Sequence, residues 1–174
     1  LSLQGNTDMN PTILRVATAF GLSPRMRFDL TISEFTYQLA LGNELVVYDA
    51  DTWRPYCHVE DFACLIQKVI ESPIEKVSFE VFNAGSDVNN ATKKMIVDMI
   101  ISEIPYGKVK YQDHGSDPRN YRVNFDKVRS TLDFEAKKTI KDGINELLEK
   151  INQHVFHNIN DNINFFGNYE IKIK

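Results

Sequence analysis

The sequence has only two cysteines, Cys57 and Cys64, and so no ladder of paired cysteines of the kind that holds a small secreted scaffold together. Long apolar runs are missing as well: none approaches the length of a bilayer-spanning helix, and no signal-peptide pattern opens the chain. Positive charge is not in excess. With 20 basic against 24 acidic side chains the formal charge is −4, which leaves no basic field to neutralise a nucleic-acid backbone. A few arginines gripping a single diphosphate are compatible with that balance. Glycine is sparse, and neither Gly-x-Gly-x-x-Gly nor Gly-x-x-Gly-x-x-Gly, the turns that seat a dinucleotide on a helix N-terminus, occurs anywhere. The expectation is a cytoplasmic protein with no nucleic-acid partner and no membrane span.

What is present is ordinary for a globular chain. Hydrophobic residues make up 43% and charged residues 25%, and 174 residues suffice for one domain with its own core. The opening is unusual: there is no initiator methionine, and Thr12 to Val16 already reads as a buried strand. A buried strand this early, without partner strands before it, points to a sheet that has been cut. From Asn152 onward the composition turns asparagine-rich, so residues 1–151 form the expected structured unit and 152–174 a tail of unassigned role.

Strands and helices alternate along the chain. A glycine- and proline-punctuated loop, Gly21 to Arg27, leads to a helix over Phe28 to Leu41 with Gly42 at its end. Leu45 to Tyr48 reads as a strand, and Pro55 to Val59 extends toward a second helix. Asp61 is the expected N-cap of that helix, with Phe62, Leu65, Ile66, Val69 and Ile70 on its buried side. Phe79 to Phe82 is a strand running into the turn Asn83-Ala84-Gly85. Thr92 caps a helix that buries Met95, Ile96, Met99 and Ile100; Val109 to Tyr111 is extended, and Asp126 to Leu132 is a short helix. Thr139-Ile140-Lys141-Asp142 opens the last helix in the manner of a capping box, with Asp in place of Glu or Gln. Such alternation means an α/β architecture.

Several apparent motifs carry no chemistry. His58-x-Glu60 is half of a zinc-deaminase pattern, but no Pro-Cys-x-x-Cys follows, so His58 reads as a buried histidine, Cys57 and Cys64 as small apolar residues, and no metal is implied. His154 and His157 read as surface residues of the tail. Tyr106-x-x-x-Lys110 has the spacing of a catalytic Tyr–Lys pair. Pro105 and Gly107 flank the tyrosine, however, and the lysine lies in an extended stretch, so no helical face brings the two together.

The most informative stretch is Trp53-Arg54-Pro55-Tyr56-Cys57-His58-Val59-Glu60-Asp61-Phe62-Ala63. An arginine opening an extended segment can hold two phosphate oxygens with its planar fork. It stands in an ordered series with Leu14-Arg15-Val16-Ala17-Thr18-Ala19-Phe20-Gly21, Ser23 to Leu30, Val81 to Ser86, and Asp117-Pro118-Arg119-Asn120-Tyr121-Arg122-Val123. The five blocks, in this order and spacing, resemble the extended short-chain dehydrogenase/reductases that act on nucleotide sugars, the group of UDP-glucose 4-epimerases and dTDP-glucose 4,6-dehydratases. The resemblance covers Thr12 to about Leu148 and leaves the tail outside.

The resemblance implies the closing part of a Rossmann-type parallel sheet joined to a small α/β substrate-binding lobe. It implies NAD or NADP as cofactor, held mainly by an N-terminal half that this sequence does not contain. A nucleotide-diphosphate sugar would be the substrate and a homodimer the complete assembly. The reaction would remove hydride at the sugar C4 through a keto intermediate; the alternative is a non-catalytic sugar-nucleotide-binding or regulatory module. Carried over residue by residue, Ala17 and Thr18 border the cofactor, and Thr18 also the sugar. Arg54 is the diphosphate-binding arginine, and Arg119 is a second one, ranked above Arg122. Ser33 occupies the place of an asparagine that touches the diphosphate, and Tyr48 passes the nucleobase. His114 stands where many relatives have arginine, and a histidine is only partly charged near neutrality. Asn83 and Gly85 shape the cleft wall. No residue of the chain is assigned a catalytic role.

Overall fold

The computed structural model describes residue 4, residues 8–113 and residues 119–156. β1 (Ile13–Val16) pairs in parallel with β5 (Val81–Ala84), with Ile13 opposite Val81 and Val16 opposite Ala84. Ala17 alone separates β1 from β2 (Thr18–Phe20). Its N–H still donates to the Ala84 carbonyl at 3.0 Å, after which β2 pairs in parallel with β4 (Trp53–His58). One extended segment therefore serves two sheets in turn. On its other side β4 runs antiparallel to β6 (Asn90–Thr92), which gives the order β2-β4-β6. β3 (Glu44–Tyr48) and β7 (Lys108–Gln112) form a further parallel pair. Parallel pairing requires long crossovers, and helices supply them, so the α/β reading holds. The strands β2 and β6 and a short helix at 74–77 have no strong periodicity of their own and escape a reading of the sequence.

The first helix, α1 (Thr31–Ala40), starts later than its apolar pattern suggests. Asp29 is tied by both carboxylate oxygens to the Arg27 guanidinium at 2.6 Å each, and Phe28 turns inward to pack with Met26 and Leu147. Helix α2 (Val59–Glu71) corrects two expectations. Its N-cap is His58, whose Nδ1 accepts the Glu60 N–H at 3.2 Å, and Asp61 lies within the first turn of the helix. Leu65 is buried against Phe82, but Ile66 and Ile70 are 50% and 78% exposed. The helix is rotated so that Leu65, with Phe62 and Val69 partly covered, meets the β5 side. The adjoining apolar stripe faces outward.

After the one-turn α3 (Ile74–Val77), helix α4 (Lys93–Glu103) is capped as expected, by the Thr92 hydroxyl accepting the Met95 N–H at 3.1 Å. Ile96, Val97 and Ile100 are its buried residues, whereas Met95 is exposed, contrary to expectation: the i, i+4 pair Ile96/Ile100 sets the inward direction. α5 (Asp126–Leu132) ends at Asp133 in the left-handed region. α6 (Ile140–Asn152) opens with a complete capping box between Thr139 and Asp142. The main core gathers Phe20, Leu39, Val47, Tyr56, Ile96, Ile100 and Ile144 from β2, α1, β3, β4, α4 and α6. A second core, around Leu65, Phe82, Phe125 and Val128, lies between α2, β5 and α5.

Candidate functional site

At the carboxyl ends of β1 and β5, where open α/β sheets bind their ligands, lies a half-open cleft of about 530 Å³. Arg15, Ala17, Pro55, Asn83, Tyr121 and Arg122 line it. Arg15 stands on β1 and Pro55 on β4, and Asn83 comes from the end of β5, so the walls belong to rigid elements. The fourth wall is the irregular segment 119–125. It is fastened by Asn90, whose amide donates to the Val123 carbonyl and accepts the Val123 N–H, both at 2.9 Å. Asn83 donates to the Asn124 carbonyl at 3.1 Å, which closes the wall beside β5.

Along the edge of β4 this segment interleaves with the arginine motif. The Arg54 guanidinium donates from Nη1 to the Trp53 carbonyl at 2.7 Å and lies over the Tyr121 ring, 5.6 Å from its centre. In the reverse sense, Arg122 lies over the Trp53 indole at 4.6 Å. The Trp53 N–H donates to Asn120 Oδ1 at 3.0 Å. Cations on aromatic faces are attracted by the ring quadrupole, most strongly for tryptophan.

A smaller cavity of about 130 Å³ lies farther along the same extended segment, lined by Ala19, Gly21, Ser23, Arg25, Arg27 and Ser33. Hydrogen bonds from the Arg27 guanidinium hold the Asp29 carboxyl below its ordinary range. Behind it are buried polar residues. His58 is 3% exposed; because Nδ1 accepts from the backbone of Glu60, the proton is on Nε2, which donates to Glu146 at 3.0 Å. Asp61 is 4% exposed and accepts the N–H groups of Lys137 and Lys138 at 3.0 Å each. It is a staple between α2 and the entry to α6.

The sequence-predicted residues are distributed as follows. Ala17 lines the larger cleft and Ser33 the smaller cavity from α1, while Arg54 lines neither and stands between two residues of its surroundings, Pro55 and Tyr121, that do line the larger one. Thr18, opposite Tyr56 in the β2–β4 register, lines neither; strand alternation turns it away from its neighbours Ala17 and Ala19. Tyr48 is exposed at the end of β3 and lines neither cavity. Arg119 is exposed at the start of the interleaved segment, and His114 lies outside the described residues. Asn83 does form cleft wall. Tyr121 and Asn90 escape a reading of the sequence; the matching order of Trp53-Arg54 and Tyr121-Arg122, each an aromatic followed by a cation, is the one available signal.

Among the described residues, acid–base chemistry finds no ready base in the cleft. Burial pushes the Tyr56 phenol up to about 12. Tyr106 is 70% exposed in the turn after α4 and Lys110 is on β7, so they share no helical face. Among the described residues no cluster of three or more His, Cys, Asp or Glu is placed to hold a metal, and no helix is long and apolar enough to cross a membrane.

Comparison with known proteins bears on this geometry. Residues 2–85 match the model of the NAD dependent epimerase/dehydratase family. The fold is similar to that of the UDP-glucose 4-epimerase of Thermotoga maritima, solved with UDP-glucose: 19% identity over 85% of this chain and 48% of that one, TM-score 0.72. It is similar to the dTDP-glucose 4,6-dehydratase of Bacillus anthracis, solved with NAD, at 24% identity over 88% of this chain and 45% of that one, TM-score 0.67. The UDP-glucuronic acid 4-epimerase of Bacillus cereus, solved with UDP-glucuronic acid and NAD, gives 20% identity over 88% and 48%, TM-score 0.73. The chain thus spans about half the length of each. The match to the family model covers residues 2–85, and most of the chain shares the fold of these two epimerases and the dehydratase.

Proposed function

We propose that this chain is the sugar-nucleotide-binding part of an NAD(P)-dependent nucleotide-sugar epimerase or dehydratase. The observation that carries the reading is Arg54, the motif's arginine, held on the ring of Tyr121, which with Pro55 lines the cleft that Arg54 itself does not line. A guanidinium in that position offers a planar fork to a diphosphate. Arg119, at the start of the same wall, is the second cation, His114 a pH-sensitive third, and Ser33 a further polar contact. The resemblance would give the nucleobase to Tyr48 and the sugar to Thr18, neither of which lines the cleft or the smaller cavity.

The cofactor reading rests on Ala17 and Thr18, of which Ala17 lines the cleft at the end of β1. NAD(P), when bound, supplies a hydride acceptor for a sugar carbon. The chain's own contribution is to grip the diphosphate, orient the sugar and wall off one side of the cleft. With Tyr106 and Lys110 apart, it is expected to bind without turning substrate over, and the complete protein to act as a homodimer. The structures solved with UDP-glucose, with UDP-glucuronic acid and with NAD support the ligand classes.

Calorimetric titration of UDP-glucose and dTDP-glucose, and separately of NAD, against the complete protein tests the reading. A hydrogen bond to a charged partner contributes about 1.5–3 kcal/mol, so Arg54→Ala should weaken nucleotide-sugar binding by roughly ten- to a hundred-fold and leave NAD binding nearly unchanged. Arg54→Lys should recover part of the loss. Unchanged sugar-nucleotide affinity would remove Arg54 from the site; equal weakening of both ligands would mean a damaged fold.

A further inference from the structure

We propose that Tyr121 is a positioning residue for Arg54, and that residues 119–123 act as a strap that sets the direction of its guanidinium. The proposal rests on the diphosphate reading for its consequence in binding, but its geometry stands by itself. Arg54 is a long side chain near the start of β4, and an unrestrained arginine would lose rotamer freedom on gripping a ligand. Among the described residues, two contacts restrict it beforehand. Nη1 is anchored on the Trp53 carbonyl at 2.7 Å, and the plane lies over the Tyr121 ring at 5.6 Å. Together they limit both the reach and the tilt of the fork.

Tyr121 can do this only if it is itself fixed, and the strap is held on both sides of it. Before it, Asn120 Oδ1 accepts the Trp53 N–H at 3.0 Å. After it, Arg122 lies on the Trp53 indole at 4.6 Å, and Val123 is clasped through both backbone groups by Asn90 at 2.9 Å. Asn90 belongs to β6 and pairs with Pro55 across the β4–β6 ladder. The strap is thus anchored to the strand next to the one that carries Arg54, so the ring and the guanidinium keep their relation as the sheet moves.

The test has two readouts. The first is the order of the Arg54 side chain, from nitrogen-15 relaxation of its Nε–H, in the wild type, Tyr121→Phe and Tyr121→Leu. Arg54 should be ordered in the wild type and the Phe variant, which keep a ring face, and mobile in the Leu variant, which keeps bulk without one. The second is calorimetric affinity for UDP-glucose and dTDP-glucose. Tyr121→Leu should weaken the nucleotide sugar that binds by about two- to five-fold, the span of an exposed cation–π contact, and Tyr121→Phe should restore it. In an Arg54→Ala background Tyr121→Leu should add nothing, since the two residues act through one another. Equal melting temperatures exclude a folding defect. An Arg54 side chain as ordered in Tyr121→Leu as in the wild type, or a Tyr121→Leu effect that persists without Arg54, overturns the proposal. If Arg54 order depends on Tyr121 while Arg54→Ala leaves sugar-nucleotide affinity unchanged, positioning stands and the diphosphate reading falls.

Discussion

Gly21 lies directly over the edge of the His58 ring: a β-carbon at residue 21 would stand 2.0 Å from His58 Nε2. Gly21 also has φ +99°, a backbone conformation that side-chain-bearing residues rarely adopt. Both the position and the space demand glycine. Gly21→Ala should therefore destabilise the protein by about 2–4 kcal/mol, combining backbone strain with overpacking. Urea denaturation measures it, and a loss below the few tenths expected of a surface change would mean that His58 moves aside freely.

Asp61 gives a second prediction. Its two oxygens satisfy two part-buried backbone N–H groups, and leaving such donors without a partner costs about 1–3 kcal/mol. Asp61→Ala should lower stability by about 2–3 kcal/mol, and Asp61→Asn, which retains one acceptor, by less. Were Asp61 merely a helix cap, Asp61→Asn would be nearly silent, because asparagine caps as well as aspartate.

The Glu146 carboxyl links folding to acidity. Burial pushes it upward, but hydrogen bonds from Lys138 and His58 outweigh that and leave it below the ordinary glutamate value of 4.5. A carboxyl lowered in the folded state contributes stability that is present above its unfolded value and lost as pH falls through its folded one. The difference in stability between wild type and Glu146→Gln should thus be full near pH 6 and fade below pH 4.5. A difference constant from pH 6 to pH 3 would show that the carboxylate charge contributes nothing.

The two thiols should behave differently. Burial, with the nearby Asp61 charge, pushes Cys57 up to about 12, whereas Cys64 is exposed on α2. A thiol reagent at pH 8 should modify one cysteine per chain quickly and the second only on unfolding. Cys64→Ser should abolish the fast phase; its survival would place Cys57 within reach of solvent.

The sequence by itself determined what depends on neighbours a few residues apart. Thr92 and the Thr139/Asp142 box announce their helices because a cap bonds amides within one turn. The alternation of elements announces an α/β chain, and the ordered motifs around Arg54 carry the resemblance to nucleotide-sugar epimerases and dehydratases. Only the tertiary structure decided the rest. His58 and Asp61 are both acceptable caps for α2. Their roles separate because Asp61 meets Lys137 and Lys138 and His58 meets Glu146, contacts spanning 76 to 88 residues. Likewise, periodicity marks Leu65, Ile66 and Ile70 alike as apolar. Only packing against β5 decides that Leu65 is buried and the isoleucines face out. Tyr121 meets Arg54 for the same reason: local spacing fixes where a side chain can point, and the fold fixes what it meets there.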